Sequence, residues 1–67
     1  MEFGKKLKEV REKLGISQEM MARELGVSFA TINRLENGKT EPSYKTLKLF
    51  ENLCKNKNIM VGEQDEK

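Results

Sequence analysis

Apolar residues at the start of this chain recur at the spacing of one helical face. Phe3, Leu7, Val10 and Leu14 stand at i, i+4, i+7 and i+11, which places them in a single stripe on an α-helix. Four lysines lie off that stripe: Lys5, Lys6, Lys8 and Lys13. The pattern predicts a first helix over residues 2–14. Its lysines are expected to lie on a solvated face, with phosphate contact as the alternative.

Two short helices joined by a bend are predicted in the middle of the chain. Ser17 and Ser28 each precede a helical pattern, over 18–25 and over about 29–37, and a serine hydroxyl accepts a free N–H of the first turn. Gly26 ends the first helix, because glycine tolerates the left-handed conformation that a sharp turn needs. A bend of three residues, 26–28, is expected to divide the two helices.

The second of these helices has two different faces. At about 100° per residue, Ile32 and Leu35 point inward. The opposite face is small or polar: Ala30, Asn33, Arg34 and Asn37. Phe29, in the first turn, either covers the local core or protrudes. Two helices at such a bend are the layout with which a protein places a helix in the DNA major groove.

A further helix and a short extension complete the pattern. The loop at 38–42 contains the single proline, and Ser43 is expected to cap a helix over 44 to about 55. Its predicted inner face consists of Leu47, Phe50, Leu53 and Cys54. Residues 59–61 are a short apolar run that forms either a β-strand or a ragged turn of helix, and a disordered tail is expected after it. The predicted units are therefore a domain at 1–55 and an extension at 56–67.

The spacing of several residues resembles one known family. These residues are Gln18, Ala22, Gly26, Ile32 and Leu35, followed by the run Leu35-Glu36-Asn37-Gly38-Lys39. The pattern is similar to the helix-turn-helix of the lambda-repressor-like (Cro/repressor, or XRE) family of bacterial and phage DNA-binding domains, with the motif at 18–37. The likeness extends over roughly residues 3–53. It implies an all-α, compact fold of four to five helices that binds double-stranded DNA.

Composition agrees with a small binding domain. The 67 residues allow one domain with a limited core, and the formal net charge is +2. Residues 63–67 carry three acids and one base, so the rest of the chain is more basic than that total. This bias is compatible with phosphate contact and too small to indicate it without the motif.

Other kinds of chemistry find little support. The chain has no histidine and one cysteine, which argues against metal clusters and disulfide frameworks, and no cofactor is expected. Cys54 is expected to be a small core or boundary residue, with a redox sensor or an intermolecular disulfide as the alternative. No nucleophile–base pair is visible, so an enzyme is not expected. Without a membrane-length apolar run or signal peptide, the protein is expected in the cytoplasm.

The resemblance assigns roles to individual residues. The helix at 29–37 would enter the major groove, and the residues assigned to base reading are Phe29, Ala30, Thr31, Asn33 and Arg34. Those assigned to phosphate contact are Gln18, Ser28, Asn37, Lys39 and Lys45. Asn33 is alternatively a phosphate contact. Arg11 and Glu36 are expected to form an ion pair, as the equivalent positions often do in the family. Many family members carry glutamine where this chain has Phe29 and Ala30, so its operator is expected to differ.

Several partners remain open. A homodimer is expected, since one domain covers a single half-site; its contact would be the run at 59–61 or apolar residues near the fourth helix, unless that run packs on its own domain. The chain is alternatively the antitoxin of a toxin–antitoxin pair, with a toxin as partner, or the controller of a restriction–modification system. From a different class, it is a protein-binding module with no DNA role.

Overall fold

The computed structural model describes residues 2–59, and it is all-α over that range. Four helices follow one another without an intervening strand: α1 (Glu2–Leu14), α2 (Gln18–Leu25), α3 (Phe29–Glu36) and α4 (Tyr44–Asn56). The predicted all-α fold and its element order are confirmed, with α3 ending one residue earlier and α4 one residue later than expected. None of these helices is long and apolar enough to cross a membrane.

Serine caps start three of the four helices. The hydroxyl oxygens of Ser17, Ser28 and Ser43 each accept the backbone N–H of the residue three positions later, all at 3.1 Å. Each bond satisfies one of the N–H groups that the first turn of a helix leaves without a backbone partner. The predicted starts of α2, α3 and α4 are therefore correct.

The end of α4 decides how the chain continues towards its extension. Asn58 has a φ of 57°, and the N–H of Ile59 donates to the carbonyl of Cys54 at 2.9 Å. This is a Schellman cap, in which the residue after the left-handed position folds back over the helix. Ile59 accordingly packs against the core of its own chain. The other two residues of the apolar run, Met60 and Val61, lie outside the described residues.

The core is formed where α3 packs against α1 and α2, and where α2 packs against α4. Its buried apolar residues are Leu7, Val10, Met21, Ala22, Leu25, Ile32, Leu35, Phe50 and Leu53. Phe3 and Leu14 are half-buried at the two ends of the α1 stripe, and the ring of Phe3 meets that of Phe50 edge to face at 5.1 Å between centroids. The predicted apolar faces of α1 and α3 are confirmed.

The inner face of α4 differs from the prediction at one end. Thr46 is buried, and Leu49 packs against the core, whereas Leu47 does not belong to the packed cluster and lies at a surface groove. Thr46, Leu49, Phe50 and Leu53 are spaced i, i+3, i+4 and i+7, which is the true stripe. The prediction that Leu47 lies on the inner face was wrong. It followed the hydrophobicity of leucine, although position 47 lies off the buried stripe of the helix. Cys54 is half-buried against the core, as expected for a boundary residue.

Candidate nucleic-acid interface

The bend between α2 and α3 is stabilised by a backbone hydrogen bond at its start and by a helix cap at its end. Gly26 adopts a left-handed conformation with φ 69° and ψ 33°, and the N–H of Val27 donates to the carbonyl of Ala22 at 2.9 Å. Val27 packs half-buried against the core, and Ser28 then caps α3. Ala22 is also buried, and its small side chain lets α2 and α3 pack closely on either side of the bend.

The first turns of α3 present an exposed surface. Phe29 is 51% exposed, and Ala30 and Arg34 are exposed beside it. Thr31 is half-buried, and its hydroxyl lies 3.0 Å from that of Ser28. Phe29 therefore protrudes rather than covering the core, and the surface combines an aromatic ring, a methyl group and a guanidinium.

A partly buried ion pair joins α1 to the end of α3. Nε of Arg11 donates to Oε2 of Glu36 at 2.7 Å, and Nη2 donates to Oε1 at 3.1 Å, in the two-pronged geometry of a guanidinium on a carboxylate. Only 4% of the Glu36 side chain and 16% of the Arg11 side chain are exposed. The hydrogen bond to Glu36 raises the pKa of Arg11, against the opposing effect of burial. The ion pair that the family resemblance implies is present.

Three side-chain amides extend this ion pair towards the surface. Nε2 of Gln18 donates to Oε1 of Glu36 at 3.0 Å, Nδ2 of Asn33 donates to Oε1 of Gln18 at 3.2 Å, and Nδ2 of Asn37 donates to Oδ1 of Asn33 at 3.1 Å. Gln18 and Asn33 are half-buried, whereas Asn37 is exposed. Asn33 therefore does not point fully outward as the helical wheel predicts, since its amide bridges α2 and the end of α3.

Comparison with known proteins agrees with this geometry. Residues 7–57 match the helix-turn-helix family. The chain belongs to the XRE-type helix-turn-helix family. It is also 41% identical over 51 residues to YonR, an SPbeta prophage-derived uncharacterized HTH-type transcriptional regulator of Bacillus subtilis (strain 168). That match covers 76% of this chain and 47% of the relative, so the chain spans about half the length of the curated relative it matches.

Membership in this family confirms the resemblance seen in the sequence. The XRE-type helix-turn-helix proteins are DNA-binding regulators and not a family of enzymes. The matched residues include the whole of α2 and α3 with the bend between them. The exposed side of α3 is therefore the surface at which DNA binding has to be considered first.

Polar groups surround the exposed side of this helix-turn-helix. Asn37 caps the end of α3, Lys39 is exposed just after it, and Lys45 is exposed on the first turn of α4. A shallow cleft of about 240 Å³ separates α3 from the loop before α4. Its lining comprises Thr31, Arg34, Leu35, Thr40, Glu41, Pro42, Ser43 and Thr46. Arg34 therefore lies beside the N-terminal end of α4 as well as on the outer face of α3.

Proposed function

We propose that this chain is a sequence-specific transcriptional regulator that occupies an operator with α3 in the major groove. The observation that carries the proposal is the exposed surface of Phe29, Ala30 and Arg34 on a helix whose direction is held by the bend at Gly26. A helix of this width fits the major groove, where each base pair shows a distinct pattern of donors, acceptors and methyl groups.

Four residues of α3 are proposed to read bases. The guanidinium of Arg34 is suited to donate two hydrogen bonds to O6 and N7 of a guanine. Phe29 and Ala30 offer apolar contact to thymine methyl groups, and Thr31 offers its hydroxyl. Asn33 was the fifth candidate from the sequence, but reading adenine takes the oxygen and the nitrogen of its amide together, and both already bond within the protein.

Other residues are proposed to hold the DNA backbone and set the register of the complex. They are Gln18 and Ser28 at the starts of α2 and α3, Asn37 and Lys39 at the end of α3, and Lys45 on α4. Helix N-termini attract phosphate because their first N–H groups point outward with partial positive charge. Such contacts contribute affinity without sequence information.

We also propose that the regulator binds as a homodimer. One domain of this size reaches a single half-site, and operator-level specificity needs two α3 helices about 34 Å apart. Ile59 packs on its own chain, so the apolar residues around α4 are the preferred contact. Tyr44 there is 76% exposed, and Leu47 lines a groove with Phe3 and Ile59. Ultracentrifugation showing only monomers, free and on operator DNA, contradicts the dimer.

Selection of bound duplexes from a random DNA pool tests the function directly. We expect recovery of a two-fold symmetric sequence, which the protein then binds more tightly than a scrambled duplex of equal length, by on the order of a thousandfold or more. Binding to both duplexes should weaken as salt rises, because phosphate contacts release counterions. Failure to enrich any sequence, with no binding at low salt, rejects the proposal and leaves a protein-binding module.

A further inference from the structure

The three amides between α2 and the end of α3 all donate in the same direction. Asn37 donates to Asn33, Asn33 donates to Gln18, and Gln18 donates to the carboxylate of Glu36, at 3.1, 3.2 and 3.0 Å. The row runs from the exposed end of α3 inward to the ion pair of Glu36 with Arg11. We call these three residues, Gln18, Asn33 and Asn37, the amide row.

The buried carboxylate determines that direction. An ionised carboxylate only accepts hydrogen bonds, so Gln18 must turn its NH₂ group towards Glu36 and its carbonyl towards Asn33. Asn33 must then turn its own NH₂ group towards Gln18 and its carbonyl towards Asn37. Reversing Gln18 or Asn33 would place two acceptors against each other in a partly buried site, beside a Glu36 side chain that is only 4% exposed.

This arrangement is poorly suited to base reading by Asn33. An asparagine that recognises adenine uses its oxygen and its nitrogen together, facing the N6 and N7 atoms of one base. In this chain the oxygen of Asn33 faces Asn37 and the nitrogen faces Gln18, and the side chain is half-buried. Releasing both atoms for a base would break two hydrogen bonds of the amide row.

We propose that Asn33 is a positioning residue for DNA backbone binding, acting through Gln18 and Asn37. It holds the first residue of α2 and the cap of α3 together, and each of these amides keeps one further N–H for a phosphate oxygen. Because both side chains are already hydrogen-bonded in the free protein, less conformational freedom is lost on binding. This inference rests on the proposed function, since it assumes that α2 and α3 meet DNA.

Four variants test the role of Asn33: Asn33→Ala, Gln18→Ala, the double variant, and Arg34→Ala as the neighbouring control on α3. Each is titrated with the selected duplex and with its scrambled counterpart at several salt concentrations. Asn33→Ala is expected to weaken binding to both duplexes by the same factor, roughly five- to tenfold, and to leave the selected sequence unchanged. When Gln18 is already replaced by alanine, Asn33→Ala should weaken binding less. The change in the logarithm of the dissociation constant should then be under half of that in the unaltered background.

Other outcomes overturn the proposal. A loss confined to the selected duplex, or a changed preference at one base, means that Asn33 reads DNA directly. A loss of equal size with and without Gln18 means that Asn33 does not act through it, and unchanged affinity means that the amide row does not contribute. Asn33→Ser, which is too short to bridge, repeats the experiment if the alanine variant fails to fold.

A measurement on the free protein separates this inference from the proposed function. In NMR spectra, Asn33→Ala should shift the side-chain amide resonances of both Gln18 and Asn37, whereas Arg34→Ala should leave them in place. Unshifted amides would remove the amide row as an explanation even if the protein binds DNA. If the amides shift but the unaltered protein binds no duplex, the row is present, and the proposed function, with the role of Asn33 in it, is rejected.

Discussion

Gly4 on α1 lies directly against the carbonyl oxygen of Leu35 near the end of α3. A Cβ added at Gly4 would clash with this oxygen and press on the backbone of Glu36. The obstacle is backbone rather than a flexible side chain, so it cannot move without shifting α3. Close contact between α1 and α3 at this point also brings Arg11 within reach of Glu36.

Gly4→Ala is therefore expected to destabilise the protein. Helix propensity alone predicts the opposite, a gain of about 1 kcal/mol for alanine over glycine inside a helix. Overpacking of a tight contact costs about 1–3 kcal/mol, and we expect the clash to prevail here. Urea unfolding followed by circular dichroism measures the sign. Lys5→Ala, at the exposed neighbouring position, is the control and should change the free energy of unfolding by under about 0.5 kcal/mol. A more stable Gly4→Ala variant would contradict the close approach.

Truncating either partner of the ion pair should be costly. Arg11→Ala leaves the Glu36 carboxylate almost fully buried without its cation, and the expected loss is on the order of 3 kcal/mol in the free energy of unfolding. Lys13→Ala is a control, since its contact with Glu9 is exposed. In a double-mutant cycle with Glu36→Ala, the two losses should be strongly non-additive, and a coupling energy near zero rejects the pair as a stabilising unit.

Substitutions of Arg34 and of Lys39 are expected to affect DNA binding differently, although each removes one positive charge. Arg34→Ala should lose roughly 1–3 kcal/mol on the selected duplex and relax the choice of one base. Lys39→Ala should weaken all duplexes alike and lower the salt slope by about one unit. Titrations on selected and scrambled duplexes across salt concentrations distinguish them. Equal losses for Arg34→Ala on both duplexes would make Arg34 a phosphate contact instead.

The thiol of Cys54 should react slowly in the folded protein. Burial, with a smaller effect of the nearby Glu51 carboxylate, raises the pKa of this thiol. At a given pH the folded chain then holds less of the reactive thiolate than the unfolded chain does. The folded state is favoured while the thiol is protonated, and this contribution is lost as pH rises through the raised pKa. Alkylation rates are measured against pH for the native protein and in denaturant. The profile of the native protein should be shifted to higher pH, and coincident profiles contradict this.

Much of the helix-turn-helix could be predicted from the sequence because its signals are local. Ser17 and Ser28 cap helices through bonds to residues three positions away, and Gly26 turns the chain through its own φ. The apolar faces of α1 and α3 follow from helical periodicity in the same way. Arg11 and Glu36 were paired through the family resemblance, since nothing in their spacing of 25 residues indicates a contact.

Other features depend on how the helices meet. The role of Gly4 could not be predicted from the sequence, because a glycine inside a helix indicates only a low helix propensity. Its role depends on the backbone of α3, which packs directly against it. Asn33 lies on the polar side of a helical wheel, and only the packing of α2 beside α3 brings Gln18 to its amide. The link from Asn33 to Asn37 was predictable from its i, i+4 spacing. The sequence by itself determined where each helix starts, and where it ends to within one residue, since the bonds that cap and turn the chain close within a few residues. Tertiary structure alone decided which polar groups bond to another helix, as Gln18 does to Glu36 and Asn33 does to Gln18, because these partners are 18 and 15 residues apart in the chain.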